Sequence, residues 1–290
     1  MPGGFWQAVL DSGMSVPPQR PLNDLTAELV AMLGSASPVE RQTIARPVLT
    51  AWLADGVYDD LLVSVGDALA LGLRWRLGNA GDETVLRRSY SALMLAACVD
   101  RDNSLRLLPV DAVVTWADRA LTWYVREQDL RGTLPHSGWA GAVSHGADLL
   151  TALGQSRHLG TGQLSVMLDV VAERLTRPTS VVFVDGEEDR LAQATLTILQ
   201  RDLIETSWLE EWVGGLAGSL TSAGRGGTGR TTASERNTSA FLRALYLHLA
   251  VGIHPVSTTL SFAAPPRCRA DLLLALLEAV PRHTPWLYRQ

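Results

Sequence analysis

The densest run of side chains able to do chemistry lies between Glu127 and Asp148. It reads Glu127-Gln128-Asp129-Leu130-Arg131-Gly132, then His136-Ser137-Gly138-Trp139, then His145-Gly146-Ala147-Asp148. Glu127 falls one turn past Trp123 on the same helical stripe, so it points to the core side. Gly138, Gly141, His145 and Asp148 share another stripe at helical spacing, and His145 and Asp148, three apart, can touch. The two glycines leave room for a packed neighbour or a ligand. One reading is a small pocket walled by Trp116, Trp123 and Trp139, with His145 as acid/base, Asp148 orienting it, and Arg131 and His136 beside the ligand. The other is a buried hydrogen-bond network that ties two helices together. No nucleophile or oxyanion donor is evident to complete a catalytic set.

A second cluster is Asp185-Gly186-Glu187-Glu188-Asp189-Arg190. Asp185-x-x-Glu188 fits a capping box, and acidic residues suit a helix N-terminus. Counting back four from Ala192 also puts Glu188 on the buried stripe. A carboxylate there needs a cationic partner, and Arg131 or His145 are candidates. Glu127, His145, Asp148 and Glu188 therefore form the acid/base set, with Trp116, Trp123, Arg131, His136, Trp139 and Arg190 as the ligand-binding set. His145, Asp148, Glu188 and Glu127 can also supply metal ligands, but no HxxxH or HExxH anchors such a site. The expectation is no metal and no cofactor.

These residues must be positioned by helices. Leu and Ala dominate the chain, and isoleucine is scarce. Apolar stripes predict helices over residues 24–33, 38–53 (split or kinked at Pro47), 58–73, 83–99, 111–127, 139–153, 162–175, 185–203, 208–216, 234–251 and 269–280. Ser180 to Val184 has the length of a strand but no partner, and reads as extended linker. The fold expected is all-α, a single domain over 1–290. Residues 1–20 read as an N-terminal tail and 221–237 as a flexible Gly/Ser/Thr/Arg loop. The architecture expected is an irregular stack of antiparallel helical pairs, a HEAT-like α-α superhelix, with a closed α/α ring as the alternative.

Composition removes several function classes. All 25 residues counted as Lys+Arg are Arg. Without lysine there is no Schiff-base, P-loop-lysine or protein-kinase chemistry. A net charge of −5 argues against nucleic-acid binding. No stretch nears the roughly 18 uninterrupted apolar residues of a membrane span, and no signal peptide is visible, so a soluble cytoplasmic protein is expected. Cys98 reads as a buried small hydrophobe. Cys268, between Arg267 and Arg269, sits where a thiol pKa can be lowered.

Four stretches together resemble the DUF2785 family, bacterial proteins of unknown function. They are Arg88-Ser89-Tyr90, the run from Tyr124 through Arg131 to Gly132, the run from Gly138-Trp139-Ala140 to His145 and Asp148, and Gly186-Glu187-Glu188-Asp189-Arg190-Leu191-Ala192. Asn237 to Tyr246 fits the same pattern. The resemblance spans about residues 22 to 280 and implies no activity. The family pattern looks like G-W-A-H-A-x-A-H-x-A-D, with two histidines four apart; here the first is Gly141. A paired-histidine site cannot be intact in this chain.

Two functions follow. One is a non-enzymatic helical protein that binds a partner protein or small hydrophobic ligand. The other is an enzyme acting on a hydrophobic metabolite in the tryptophan-walled pocket, by cyclisation, isomerisation or hydrolysis. Arg88, Arg131, Arg190 and Arg243 fall inside the motifs. They read as fixed clamps on Glu127, Asp129 or Glu188, since guanidinium pairs bidentately with carboxylate and keeps its proton.

Overall fold

Leucine and alanine at three- and four-residue spacing wind most of the chain into helix. The computed structural model describes residues 3–221, 231–252 and 265–279. Among these are twelve α-helices and one two-stranded hairpin, so the protein is all-α. The chain divides into two compact units, Met1–Ala152 and Leu153–Gln290.

In the first unit, helix α1 (Gly3–Asp11) precedes α2 (Leu22–Met32). The expected N-terminal tail is corrected by α1. Trp6 is fully buried, and its indole donates to Glu28 Oε1 at 2.7 Å. The predicted helix over 38–53 splits into a π-helical turn (Val39–Ala45) and α3 (Arg46–Ala54), with Pro47 in the first turn of α3. A 3₁₀ turn (Asp59–Leu61) leads into α4 (Leu62–Gly72). Helix α5 (Thr84–Leu105) packs against α3 and α4, and α6 (Val110–Arg126) against α4.

The largest departure from the sequence reading lies before α7. Strands β1 (Thr133–Leu134) and β2 (Gly138–Trp139) form an antiparallel hairpin, and α7 (Ala142–Gln155) starts only after it. Gly138 and Gly141 have φ of +71° and +54°, outside helix geometry, so the four-residue stripe of glycines with His145 and Asp148 does not form.

The second unit contains α8 (Thr161–Thr176), α9 (Glu187–Leu199), α10 (Thr206–Thr221), α11 (Ala233–Val251) and α12 (Arg269–Ala279). Helix α9 packs chiefly on α11, and α10 on α12. Residues 180–184 are neither helix nor strand, as expected of a linker, and Asn237 Oδ1 accepts from the Phe183 amide at 2.9 Å. Of the expected loop 221–237, residues 222–230 lie outside the described residues. The loop ends earlier than predicted: Thr232 and Glu235 form a capping box and α11 begins at Ala233.

Candidate functional site

Three consecutive residues of α5 organise the first unit's polar centre. Arg88 points to Glu127, Ser89 to His145, and Tyr90 to the hairpin. All three are buried.

Arg88 and Glu127 are a bidentate pair. Nε meets Oε2 at 2.5 Å and Nη2 meets Oε1 at 2.8 Å, with both side chains out of solvent. Glu127 also accepts from the Trp123 indole at 2.9 Å and the Asp129 amide at 3.0 Å. The remaining Arg88 protons go to the carbonyls of Trp75, Arg76 and Asn79 and to Thr84 Oγ1. A second pair stands beside it. Arg131 grips Asp129 through Nε at 2.7 Å and Nη2 at 2.5 Å, and Nη2 also donates to the Asp82 carbonyl. Asp129 Oδ2 accepts from the Gly81 amide at 3.0 Å. Bonds from Arg131 and Gly81 hold the Asp129 carboxyl below its ordinary value, against the opposing effect of burial. The arginines at 88 and 131 are thus clamps on Glu127 and Asp129. Together the two pairs tie down the connection from residue 75 to residue 82.

His145 Nδ1 lies 2.7 Å from Ser89 Oγ, and the Trp139 indole donates to His145 Nε2 at 3.3 Å. Ser89 Oγ donates to the Ala140 carbonyl at 2.5 Å. Serine has one proton and indole is only a donor, so the donor inventory assigns the hydrogen of His145 to Nδ1. Ser89 therefore receives a hydrogen bond from His145 and passes its own to backbone. A base-activated serine needs the reverse order. Tyr90 meets the His145 ring edge-on, with centroids 5.0 Å apart.

Arg41, from the π-helical turn, was missed by sequence reasoning. It is fully buried, donates to the carbonyls of Ser35 and Ser137, and lies 5.0 Å over the Tyr90 ring. Tyr90 Oη reaches the Trp139 carbonyl at 3.2 Å, and Ser137 Oγ bonds Glu83. The sequence carries no signal for it, since Glu40, Gln42 and Thr43 make its surroundings look like a solvated turn.

The remaining predicted residues are dispersed. Trp116 is core: its ring covers Gly66 and its indole bonds Asp67 at 2.9 Å. His136 is exposed in the hairpin turn. Asp148 is half-buried on α7, where its charge bears on Asp100 of α5. Glu188 and Arg190 belong to the second unit, and Arg190 is exposed. The predicted stripe holds at Ala192, Leu196 and Leu199, which are buried, but the buried face of α9 is wider and takes in Leu191 and Thr195 as well. Glu187, not Glu188, is buried, and its Oε2 accepts from the Asp185 amide at 2.8 Å. Gly186 in the left-handed region starts the helix, so the Asp185-x-x-Glu188 box does not form. Glu188 Oε2 is buried without a hydrogen-bond partner among the described residues, and burial raises its pKa. The cations expected for it are engaged elsewhere, Arg131 by Asp129 and His145 by Ser89 and Trp139.

Two clefts lined by described residues, of about 210 and 360 Å³, both lie in the second unit, and Trp116, Trp123 and Trp139 line neither. Cys268 lines the smaller. Burial pushes its thiol up to about 11, helped by the charges of Asp202 and Asp271, which corrects the expected lowering by its flanking arginines. No helix among the described residues is long and apolar enough to cross a membrane.

The fold and centre define an all-α protein whose motif residues clamp a connection and a hairpin onto a helical frame. A family model described as a protein of unknown function (DUF2785) matches residues 73–247, over half of the chain, and the chain belongs to that family. Arg88, Glu127, Asp129, Arg131, Trp139 and His145 lie inside this span; Arg41 lies before it. No curated protein and no solved structure matches the chain.

Proposed function

We propose that this chain is a non-enzymatic, HEAT-like stack of helical pairs that binds a partner protein or a small hydrophobic ligand, in the cytoplasm. The observation that carries this reading is the saturation of its reactive groups. Both nitrogens of His145 and both oxygens of Glu127 face structural partners. An acid/base residue needs an atom left for the reacting proton. The indole of Trp139 stands where a substrate would meet His145 Nε2. The acid/base assignment of His145, Asp148, Glu127 and Glu188 has less support, since Glu188 lies in the other unit and Asp148 bears on Asp100.

The test is to purify His145→Ala and Glu127→Gln, melt both, and identify by mass spectrometry any small molecule that leaves with the wild-type protein. The expected result is that both variants melt far below wild type. Variants that keep the wild-type melting temperature yet lose turnover of a co-purified metabolite would overturn the reading.

A further inference from the structure

The clamp formed by Arg88, Glu127, Asp129 and Arg131 holds residues 75–82, and what that connection presents to solvent is unusual. Trp75 is 57 % exposed and is the only exposed tryptophan among the described residues. It is flanked by Arg74 and Arg76, both exposed, and Leu71, one turn earlier, is also 57 % exposed. Neither arginine has an ion pair or side-chain hydrogen bond among the described residues. The carboxylates of this region are already engaged: Asp82 with Thr84, Asp129 with Arg131, Glu83 with Ser137 and Asp67 with Trp116. The backbone beneath is fixed. Arg88 binds the carbonyls of Trp75, Arg76 and Asn79, Asp129 the amide of Gly81, and Arg131 the carbonyl of Asp82.

Resting on the binding-protein reading above, we propose that Arg74, Trp75 and Arg76 form a docking site for an acidic segment of a partner protein that also carries apolar side chains. Charge complementarity selects the partner: two unpaired guanidinium groups call for carboxylates, which they bind bidentately. Trp75 and Leu71 supply the apolar surface, and tryptophan and arginine are the residues that dominate interface energies. A clamped loop binds without first losing its own conformational freedom. The overall charge of −5 disfavours a nucleic acid in this role.

The experiment titrates the full chain with a fluorescent peptide of alternating glutamate and leucine. A serine/leucine peptide and phosphatidylcholine vesicles carrying phosphatidylserine serve as comparisons. Trp75→Ala and the Arg74→Glu/Arg76→Glu double variant are titrated alongside, with circular dichroism to show that they keep the fold. These side chains make no hydrogen bond or ion pair among the described residues and are exposed, so the fold is expected to survive. The glutamate peptide should bind wild type in a salt-sensitive manner, and each variant should bind on the order of thirtyfold more weakly. The proposal is overturned if wild type does not bind this peptide, if Trp75→Ala binds it as wild type does, if the serine peptide binds equally well, or if only the vesicles bind. None of those results touches the binding-protein reading, which falls only if folded His145 or Glu127 variants lose turnover.

Discussion

The indole of Trp139 lies over the bare Cα of Gly141: a β-carbon there would stand 2.4 Å from ring atoms Cε2 and Nε1. The same indole donates to His145 Nε2. Gly141 carries no side chain, and the Trp139 ring fills the space beside it and caps His145. Gly141→Ala should therefore be destabilising on two counts, a positive φ and a ring collision, together about 2–4 kcal/mol. Chemical denaturation measures this. Adding Trp139→Ala should recover part of the loss, because the collision goes with the ring.

Glu127 and Arg88 give a second prediction. Glu127→Gln leaves a fully buried guanidinium without its counter-charge, at a cost of about 3–5 kcal/mol. Arg88→Met should cost at least as much, because it also strands the carbonyls of Trp75, Arg76 and Asn79. Urea midpoints of the two variants give the comparison; a near-neutral Arg88→Met would mean that those carbonyls find water.

Asp100 predicts a pH dependence. Burial pushes its carboxyl up to about 6, a hydrogen bond with Asn103 opposes this, and the Asp148 charge adds to it. The folded state thus holds the proton more tightly than the unfolded chain, whose carboxyl titrates near 3.8. The Asp100 contribution is most favourable below the unfolded value and is lost as pH rises through about 6. Asp100→Asn should stabilise the protein at neutral pH by roughly 1–3 kcal/mol and give nothing at pH near 3. Melting curves across that range, wild type against variant, check both the sign and the window.

The two thiols should be silent in the native protein. Burial raises Cys98 to about 12 and Cys268 to about 11. A disulfide reagent at neutral pH should label neither at an appreciable rate, and both after denaturation. Fast native labelling of Cys268 would contradict the burial described here.

Most helices were legible because their stripes of leucine and alanine are uninterrupted, and the clamping role of Arg88 and Arg131 followed from arginine chemistry and neighbouring acids. The hairpin was not. Gly138, Gly141 and His145 fall at helical spacing, and nothing in residue type alone reveals that two of them take positive φ. Glu187 was passed over for Glu188 because the buried face of α9 extends to Leu191, one turn past Glu187, beyond the stripe that the leucines and alanines marked. Helix α1 was hidden by its nine-residue length and the absence of an acidic residue in its first turn, while what holds it is the burial of Trp6.

The hairpin carries one more consequence, for the order of folding. Two strands of two residues have no stability of their own. This pair is held by Arg41, Glu83, Tyr90 and the Gly132 carbonyl, contributed by segments up to 98 residues away in sequence. It can therefore form only after those segments have assembled, and the amides of Ala140 and Gly141, both bonded to Gly132, become late reporters of a completed first unit.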